Sequence, residues 1–338
     1  MPRGEASELE SALRGQCALL FVNFHHVREK NSDEFPGLHH RTLLQLAEQV
    51  RILAHDFDFP APDVVREIVQ GREPLESNLC VLTFDDGLRD HRDHVAALLD
   101  DLGITAIFFV NTGPWEDGLL LPVHMAHLLS ARYSYVELAD DFERSAAERG
   151  LAQRLSDVST ELPDSVYRYD DSETRRVKYY LNMLLPQAER FHVLRTVFER
   201  RIGSERELAR KHYLSPGMVR ELRRQGHEIG LHSHRHANLA SESSERRRMD
   251  LETNRRLLSA ERTASDRELY WISYPFGSPL TYDEHVVSDA RSVGCDTGLT
   301  MSRGLNVVPD MAPMRLKRVD TNDVVGGQSP LPWSRLIG

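Results

Sequence analysis

Two adjacent carboxylates and a pair of histidines are the residues of this chain whose types and spacing can do chemistry. Asp85 and Asp86 follow an apolar run and precede Gly87, which lets the backbone turn sharply. His232 and His236 follow a second apolar run, and they lie on one face if the chain becomes helical there. Two imidazole nitrogens and one carboxylate oxygen form an open site for a divalent metal, and the other carboxylate can then move protons.

Two further clusters stand at the ends of apolar runs. Tyr274 and Phe276 lie in an aromatic turn, where they either line a pocket that stacks on a sugar face or belong to the core. His25 and His26 end the first apolar run of the chain. Each of them can be a general acid, and each can equally be a buried structural residue. The residues alone leave these alternatives open.

The elements that must position these residues are predicted from hydrophobic periodicity. Short apolar runs rich in β-branched and aromatic residues predict buried strands at Ala18–Phe24, Leu79–Phe84, Thr105–Val110, Glu228–Leu231 and Leu269–Tyr274. Apolar residues three or four positions apart predict helices at Thr42–Leu53, His91–Leu102 and Glu242–Leu258. Strands that alternate with helices predict an α/β fold with a parallel sheet or barrel, in which chemistry gathers where the strands end.

The pattern along the chain predicts one catalytic domain over residues 1–338 with a single insertion. Residues 114–215 are richly charged and mainly helical in pattern, and we expect a helical insertion that packs on the main domain. The alternative is that this insertion is a cap that shapes a substrate cleft. Residues 326–338 contain a Gly-Gly pair and two prolines, so a loose tail is expected there.

Composition and charge bound the class of protein. The 338 residues include 42 Lys and Arg against 52 Asp and Glu, a formal net charge of −10, which disfavours a nucleic acid partner. Three scattered cysteines cannot form a disulfide framework. Residues 1–16 lack the basic and apolar layout of a signal peptide, and the apolar runs are too short for a membrane span. We therefore expect a cytoplasmic protein, of an oligomeric state that the sequence does not indicate.

Taken together and in this order, the motifs resemble those of the NodB-homology polysaccharide deacetylases, carbohydrate esterase family 4. Thr83-Phe84-Asp85-Asp86-Gly87, His232-Ser233-His234-Arg235-His236 and Tyr274-Pro275-Phe276-Gly277 are similar to the first, second and third motifs of that family. The resemblance implies a distorted (β/α) barrel of about seven parallel strands. It also implies a divalent metal held by Asp86, His232 and His236, with Asp85 as the catalytic base.

Two departures from the family pattern imply two further residues. Most members carry an arginine in the third motif that hydrogen-bonds the base; here Ser273 stands near that place, and Arg318 is the candidate replacement. The usual carboxy-terminal acid histidine is missing. The poly-N-acetylglucosamine deacetylase branch supplies it from an N-terminal strand, which Phe24-His25-His26-Val27 resembles. His25 is therefore the predicted general acid, with His26 as the alternative.

The resemblance implies metal-dependent hydrolysis of an N-acetyl group from an amino sugar or a sugar-containing small molecule, with release of acetate and a free amine. Zinc is the expected ion, and cobalt, nickel and manganese accept the same ligands. Tyr274 and Phe276 are expected to contact the substrate, and a backbone N–H near Tyr274 to bind the oxyanion. One alternative is an amide hydrolase of the same fold that acts on a cyclic imide or ureide. The other is a carbohydrate-binding protein without catalysis.

Overall fold

The computed structural model describes residues 8–29, 35–151, 187–264 and 266–337. The chain divides into two compact units, of which the larger contains residues 1–30, 40–117 and 212–338. The smaller unit contains residues 31–39 and 118–211.

The described residues form ten strands, all of them in the larger unit. They are β1 Ala18–Phe24, β2 Val27–Arg28, β3 Arg41–Thr42, β4 Leu79–Phe84, β5 Ile107–Val110, β6 Glu228–Leu231, β7 Trp271–Ser273, β8 Thr297–Leu299, β9 Asn306–Val307 and β10 Val319–Asp320.

The described residues of both units together contain twelve α-helices. They are α1 Glu8–Leu13, α2 Leu43–Leu53, α3 Pro62–Val69, α4 Ala96–Leu102, α5 Gly113–Asp117, α6 Pro122–Ser130, α7 Tyr135–Glu148, α8 Gln187–Arg201, α9 Glu205–His212, α10 Pro216–Arg224, α11 Ser244–Ala260 and α12 Glu284–Ser292. A π-helical turn, His91–Val95, leads into α4. No helix within these described residues is long and apolar enough to cross a bilayer.

Seven parallel strands form one curled sheet in the order β10-β1-β4-β5-β6-β7-β8, and β9 pairs antiparallel with β1. Val319 of β10 pairs with Val22 of β1, and three residues earlier Leu316 bridges in parallel to Leu299 of β8. The short segment 316–319 therefore contacts β8, at one edge of the sheet, and β1, close to the opposite edge. This arrangement is the distorted (β/α) barrel that the resemblance implies, so the predicted fold is confirmed.

The local sequence explains the main elements. β1 and β4 are buried at every position, as their continuous apolar runs predict for strands covered on both faces. Thr42 caps α2 by accepting a hydrogen bond from the backbone N–H of Gln45, whose side chain accepts one from the N–H of Thr42. Helix α4 ends at Gly103 in the left-handed conformation, which a glycine adopts without steric strain. The predicted strands β1, β4 and β6 have the predicted bounds.

The smaller unit contains helices α6, α7 and α8, which pack around a core of their own. Leu129, Phe142 and Val197 are buried within it. Arg195 forms an ion pair of 2.8 Å with Glu205, which accepts a hydrogen bond from the backbone N–H of Leu120. Residues 152–186 of the predicted insertion lie outside the described part of the chain. The role of a cap over the substrate stays a prediction.

The end of the chain differs from the expectation. Trp333 and Leu336 are buried, and the ring of Trp333 lies 5.5 Å from that of Phe57. The backbone N–H of Leu305 donates to the carbonyl of Leu336. The expectation of a loose tail over residues 326–338 is therefore wrong at Trp333 and Leu336, because the burial of two large apolar side chains outweighs the local effect of glycine and proline.

Candidate active site

The predicted site residues come together at the carboxyl edge of the sheet. His25 follows β1, Asp85 and Asp86 follow β4, and His232 follows β6. Because these strands are parallel, their carboxyl ends meet at one edge, where loops can bring side chains to a common centre. This edge is the place at which ligands bind in parallel α/β folds.

Asp85 is buried and held in place by a fully buried arginine. Arg318 donates from Nη1 to Oδ1 of Asp85 at 2.9 Å and from Nη2 to Oδ2 at 2.8 Å, while the hydroxyl of Ser273 donates to Oδ2 at 3.0 Å. Burial raises the pKa of Asp85, but the charge and hydrogen bonds of Arg318, together with the nearby His232, outweigh burial and hold that pKa below its ordinary value. Asp85 is therefore a carboxylate of fixed orientation. Ser273 and Arg318 occupy the places that the sequence assigned to them.

The guanidinium of Arg318 is itself fixed by neighbours on four strands or strand ends. Nε donates to the carbonyl of Thr300, and Nη1 also contacts the side-chain oxygens of Asn23 and Thr83. Nη2 contacts the hydroxyl of Ser273 at 2.8 Å. A planar donor with this many partners cannot rotate, so the carboxylate that it holds cannot rotate either.

Asp86, His232 and His236 converge on one point. The Oδ1 atom of Asp86 lies 3.3 Å from Nε2 of His232 and 3.4 Å from Nε2 of His236, and all three residues are buried. One donor atom from each residue lies within 4.8 Å of the others. Two imidazole nitrogens and one carboxylate oxygen are ligands that zinc and similar divalent ions accept, and three protein ligands leave further positions for water and substrate.

The surroundings of His232 fit a metal ligand. Its Nδ1 atom lies 2.7 Å from the carbonyl of Ser273, which can only accept, so Nδ1 carries the proton and Nε2 presents a lone pair to the centre. Burial lowers the pKa of His232, but the carboxylates of Asp85 and Asp86 outweigh it and raise that pKa. The same negative field favours a bound cation. The residues present therefore fit a divalent metal.

The two histidines do not reach the centre from a helix. Residues 232–238 form a loop, and Ser233 and His236 have left-handed backbone angles, with φ of 60° and 50°. Asp86 and Phe276 also lie in that region, with φ of 77° and 62°. The expectation of two histidines on one helical face is wrong, because two left-handed residues fold the loop back on itself. Such strain persists where the surrounding structure fixes it, and it concentrates at functional sites.

Polar residues that the sequence analysis missed hold this loop. Asn254 of α11 accepts from the backbone N–H of His232 at 3.2 Å and donates to the carbonyl of Val110 at 3.0 Å. Asp250, one helical turn earlier, accepts from the backbone N–H groups of His234 and Arg235 at 2.7 and 3.0 Å, and burial raises its pKa to about 6. A polar pair four positions apart on a helix is the signal that could have identified them, but α11 is charged throughout its length.

His234 holds the loop from its other side. Its ring nitrogens contact the hydroxyl of Thr112 at 2.9 Å and the carboxylate of Glu116 at 3.1 Å. The side chain of Asn111 donates to the carbonyls of His232 and Ser233. The middle histidine of the motif therefore attaches the loop to the end of β5.

The structure separates the two candidate acids. His25 is half-buried and follows β1 next to the strand end that carries Asp85, because Phe24 pairs with Phe84. His26 is buried, with its Nδ1 atom 3.5 Å from Asp90 and its ring against His212. His25 is thus the more exposed of the two histidines, and His26 belongs to a structural cluster. The role of His25 as general acid stays a prediction.

The two aromatic residues of the turn, Tyr274 and Phe276, also differ in their exposure to solvent. Tyr274 is fully buried, its hydroxyl donates to the carbonyl of Met314, and its ring stacks on Tyr282. Its backbone N–H donates to Leu299 within the sheet. The expectation that the Tyr274 side chain contacts the substrate is therefore wrong, because the ring is buried and its hydroxyl has a partner. The binding of the oxyanion by a backbone N–H near Tyr274 stays a prediction. Phe276 is 37% exposed, with its ring 4.6 Å from that of His236, so it is placed to meet a ligand.

Comparison with protein families supports the resemblance seen in the motifs. The family model for polysaccharide deacetylases matches residues 164–298, a stretch shorter than half of the chain. It includes the histidine motif and the aromatic turn. A search of curated proteins found no match.

Solved structures of deacetylases share the fold. The Streptococcus pyogenes deacetylase PplD in complex with acetate is 13% identical, with a TM-score of 0.56, and the alignment covers 96% of this chain and 99% of that one. IcaB from Ammonifex degensii is 13% identical, with a TM-score of 0.55 and coverage of 95% and 98%. The BpsB deacetylase domain from Bordetella bronchiseptica is 17% identical, with a TM-score of 0.52 and coverage of 94% and 98%.

These likenesses extend along nearly the whole of each chain, and at such identities they show the fold alone. Together with the family match, they confirm the resemblance to the NodB-homology polysaccharide deacetylases. The proteins to which this chain is similar are therefore deacetylases.

Proposed function

From the resemblance to polysaccharide deacetylases, we propose that this chain is a metal-dependent de-N-acetylase of amino sugars or sugar-containing small molecules. The observation that carries the proposal is the convergence of Asp86, His232 and His236 beside a carboxylate that Arg318 holds ionised. A divalent ion in this site supplies Lewis acidity toward the acyl oxygen and makes a water molecule more acidic.

In the proposed mechanism the protein's own groups move the protons. Asp85 takes the proton from the attacking water, because its orientation is fixed and its lowered pKa keeps it ionised at neutral pH. His25 gives a proton to the leaving amine, which is otherwise a poor leaving group. The exposed ring of Phe276 packs against one face of the sugar.

The contact between Arg318 and Asp85 weighs against the cyclic imide or ureide hydrolase. That alternative rested on the lack of an arginine beside the base, and Arg318 supplies this contact in the form of two hydrogen bonds. A carbohydrate-binding protein without catalysis has no requirement for an ionised carboxylate so rigidly held beside three metal donors. Substrate size and the cytoplasmic location stay predictions of the sequence.

Acetate release tests the proposal. Purified protein is supplied in turn with zinc, cobalt, nickel or manganese, and acetate is measured on N-acetylglucosamine, its short oligomers and the polymer. We expect release with at least one ion, and comparison of the substrates then fixes the preferred length. No acetate from any of these N-acetyl sugars with any ion would overturn the proposal.

Two variants assign the roles. Asp85→Asn is expected to lower the rate about 100- to 10,000-fold with metal content unchanged, because it removes the base and keeps the ligands. His232→Ala is expected to lose both metal and activity. Asp101→Asn, at an exposed position on α4, is the matched control and should behave as the wild type. Turnover by Asp85→Asn at the wild-type rate would contradict its assignment as the base.

A further inference from the structure

Two residues that follow the carboxylate motif grip the end of strand β1. The side chain of His91 contacts the carbonyl oxygen of His25, with Nε2 at 2.9 Å. The carboxylate of Asp90 lies 3.5 Å from Nδ1 of His26 and accepts from Nε of Arg28 at 2.7 Å. Residues 25, 26 and 28 are therefore all held by the short segment 90–91.

These contacts help to fix the position of His25 relative to Asp85. The backbone N–H of Asp85 donates to the carbonyl of Phe24 at 3.0 Å, so the base and the residue before His25 are already joined by the sheet. His91 adds a contact at the next carbonyl along β1. The position of His25 relative to Asp85 is thus defined at two successive peptide groups.

His91 is built as a rigid donor. It is completely buried, and its ring lies 5.4 Å from that of Phe84 and 5.6 Å from that of Phe108. A carbonyl oxygen can only accept, so Nε2 of His91 carries the hydrogen and donates a hydrogen bond to the backbone carbonyl of His25. Burial lowers the pKa of His91 and keeps the ring neutral. A buried neutral imidazole that packs against this stacked pair of phenylalanine rings has no freedom to change partner.

The backbone at this point is unusual. His91 begins the π-helical turn His91–Val95, and the N–H of Ala96 donates to its carbonyl. Single π-helical turns are rare and occur often at functional sites, since they displace one side chain from the regular helical course. Here the π-helical turn begins at His91, whose imidazole reaches the carbonyl of His25 at the end of β1.

We infer that Asp90 and His91 are positioning residues, which fix the general acid His25 relative to the base Asp85. This inference rests on the proposed function. The contacts of Asp90 and His91 described above are with the end of β1, so we expect their loss to act on proton donation to the leaving amine and to leave metal binding intact. A displacement of about 1 Å in a catalytic group can lower a rate about 100-fold.

The leaving group distinguishes this role from a structural one. An N-acetyl amino sugar needs a proton on its leaving amine, whereas an aryl acetate with a phenolate leaving group does not. His91→Phe keeps the aromatic volume and removes the donor. We expect it to lower kcat on the N-acetyl substrate about 10- to 100-fold with KM unchanged, and to affect the aryl acetate far less.

Three reference variants complete the comparison. His91→Gln retains an N–H donor at a similar distance from the backbone and should recover most of the lost kcat. His25→Ala should show the same substrate dependence as His91→Phe, and Asp85→Asn should lower both reactions together. An equal loss on both substrates in His91→Phe, or no loss on the N-acetyl substrate, would refute the inference.

A structural measurement separates the inference from the proposed function. Crystal structures of the wild type, His91→Phe and His91→Gln show directly where His25 lies, whatever the substrate of the enzyme is. We expect one position of His25 in the wild type and in His91→Gln, and a displaced or multiple position in His91→Phe. An unmoved His25 in His91→Phe would overturn the inference even if the wild type is a deacetylase.

Discussion

Asp90 illustrates how one buried carboxylate contributes to stability through its pKa. Burial raises the pKa of Asp90, but the hydrogen bond with His26 and the charge of Arg28 outweigh it and lower that pKa to about 2. The ordinary value is 3.8. Because the folded state holds the proton less tightly, the ionised group stabilises the fold above pH 4, and this stabilisation is lost as the pH falls toward 2.

The substitution Asp90→Asn is therefore expected to lower the free energy of unfolding by about 2 kcal/mol at pH 7, which corresponds to the shift in pKa. The difference from the wild type should narrow steadily between pH 4 and pH 3. Urea unfolding of both proteins at several pH values measures it, with Asp101→Asn as the exposed control. A difference that stays constant down to pH 3 would contradict the electrostatic explanation.

Residue types and spacing in the sequence were enough to single out the three residues that could hold a metal ion. Asp86, His232 and His236 converge as expected, although their loop geometry was not foreseen. Left-handed angles at Ser233 and His236 depend on contacts with a distant helix, which no local pattern in residues 232–236 encodes. For Tyr274 the predicted contact with substrate was wrong, since the residue is buried in the core. An aromatic residue at a strand end looks the same in the sequence whether its side chain faces a ligand or the core.

Among the elements, helix α11 positions the histidine loop. Its Asn254 joins the ends of two strands, because it accepts from the N–H of His232 after β6 and donates to the carbonyl of Val110 in β5. It also donates to the hydroxyl of Thr112 at 3.0 Å. One buried amide therefore satisfies three polar groups that have no access to water.

Replacement of that amide by an apolar group, Asn254→Leu, leaves these partners unsatisfied. We expect a loss of about 1–3 kcal/mol in the free energy of unfolding and a metal affinity about 10- to 100-fold lower. Thermal denaturation and metal titration measure the two effects. Glu252→Ala, exposed on the same helix, is the control. Unchanged metal affinity in Asn254→Leu would show that α11 does not position the loop.

The strands were easier to predict than the ends of the sheet. β1 and β4 are long, fully buried runs, and their bounds follow from apolar character alone. β8 and β10 have only three and two residues; β8 pairs with β7, which is itself only three residues long, and β10 pairs with β1 from the other end of the chain. Strands this short are fixed by their neighbours, so the sequence did not indicate them.

At the scale of the whole molecule, the last residues of the chain contribute to the core. Trp333 packs near Phe57, and the turn Trp333–Arg335 lies against helix α1. Removal of a buried aromatic side chain costs about 3–5 kcal/mol. Trp333→Ala should therefore lower the melting temperature clearly, whereas Gln328→Ala at an exposed position should not. An unchanged melting temperature in Trp333→Ala would contradict a contribution of Trp333 to the core and would support the original expectation of a loose tail.

The pairing of β10 with β1 has an evolutionary consequence. These strands come from opposite ends of the chain, yet they are neighbours in the sheet, and β1 carries His25 at its carboxyl end. A rearranged gene that encoded β1 after β10 could preserve the same ladder and bring the same histidine to the same edge. The chemistry of the site therefore places no constraint on whether β1 precedes or follows the other strands along the chain.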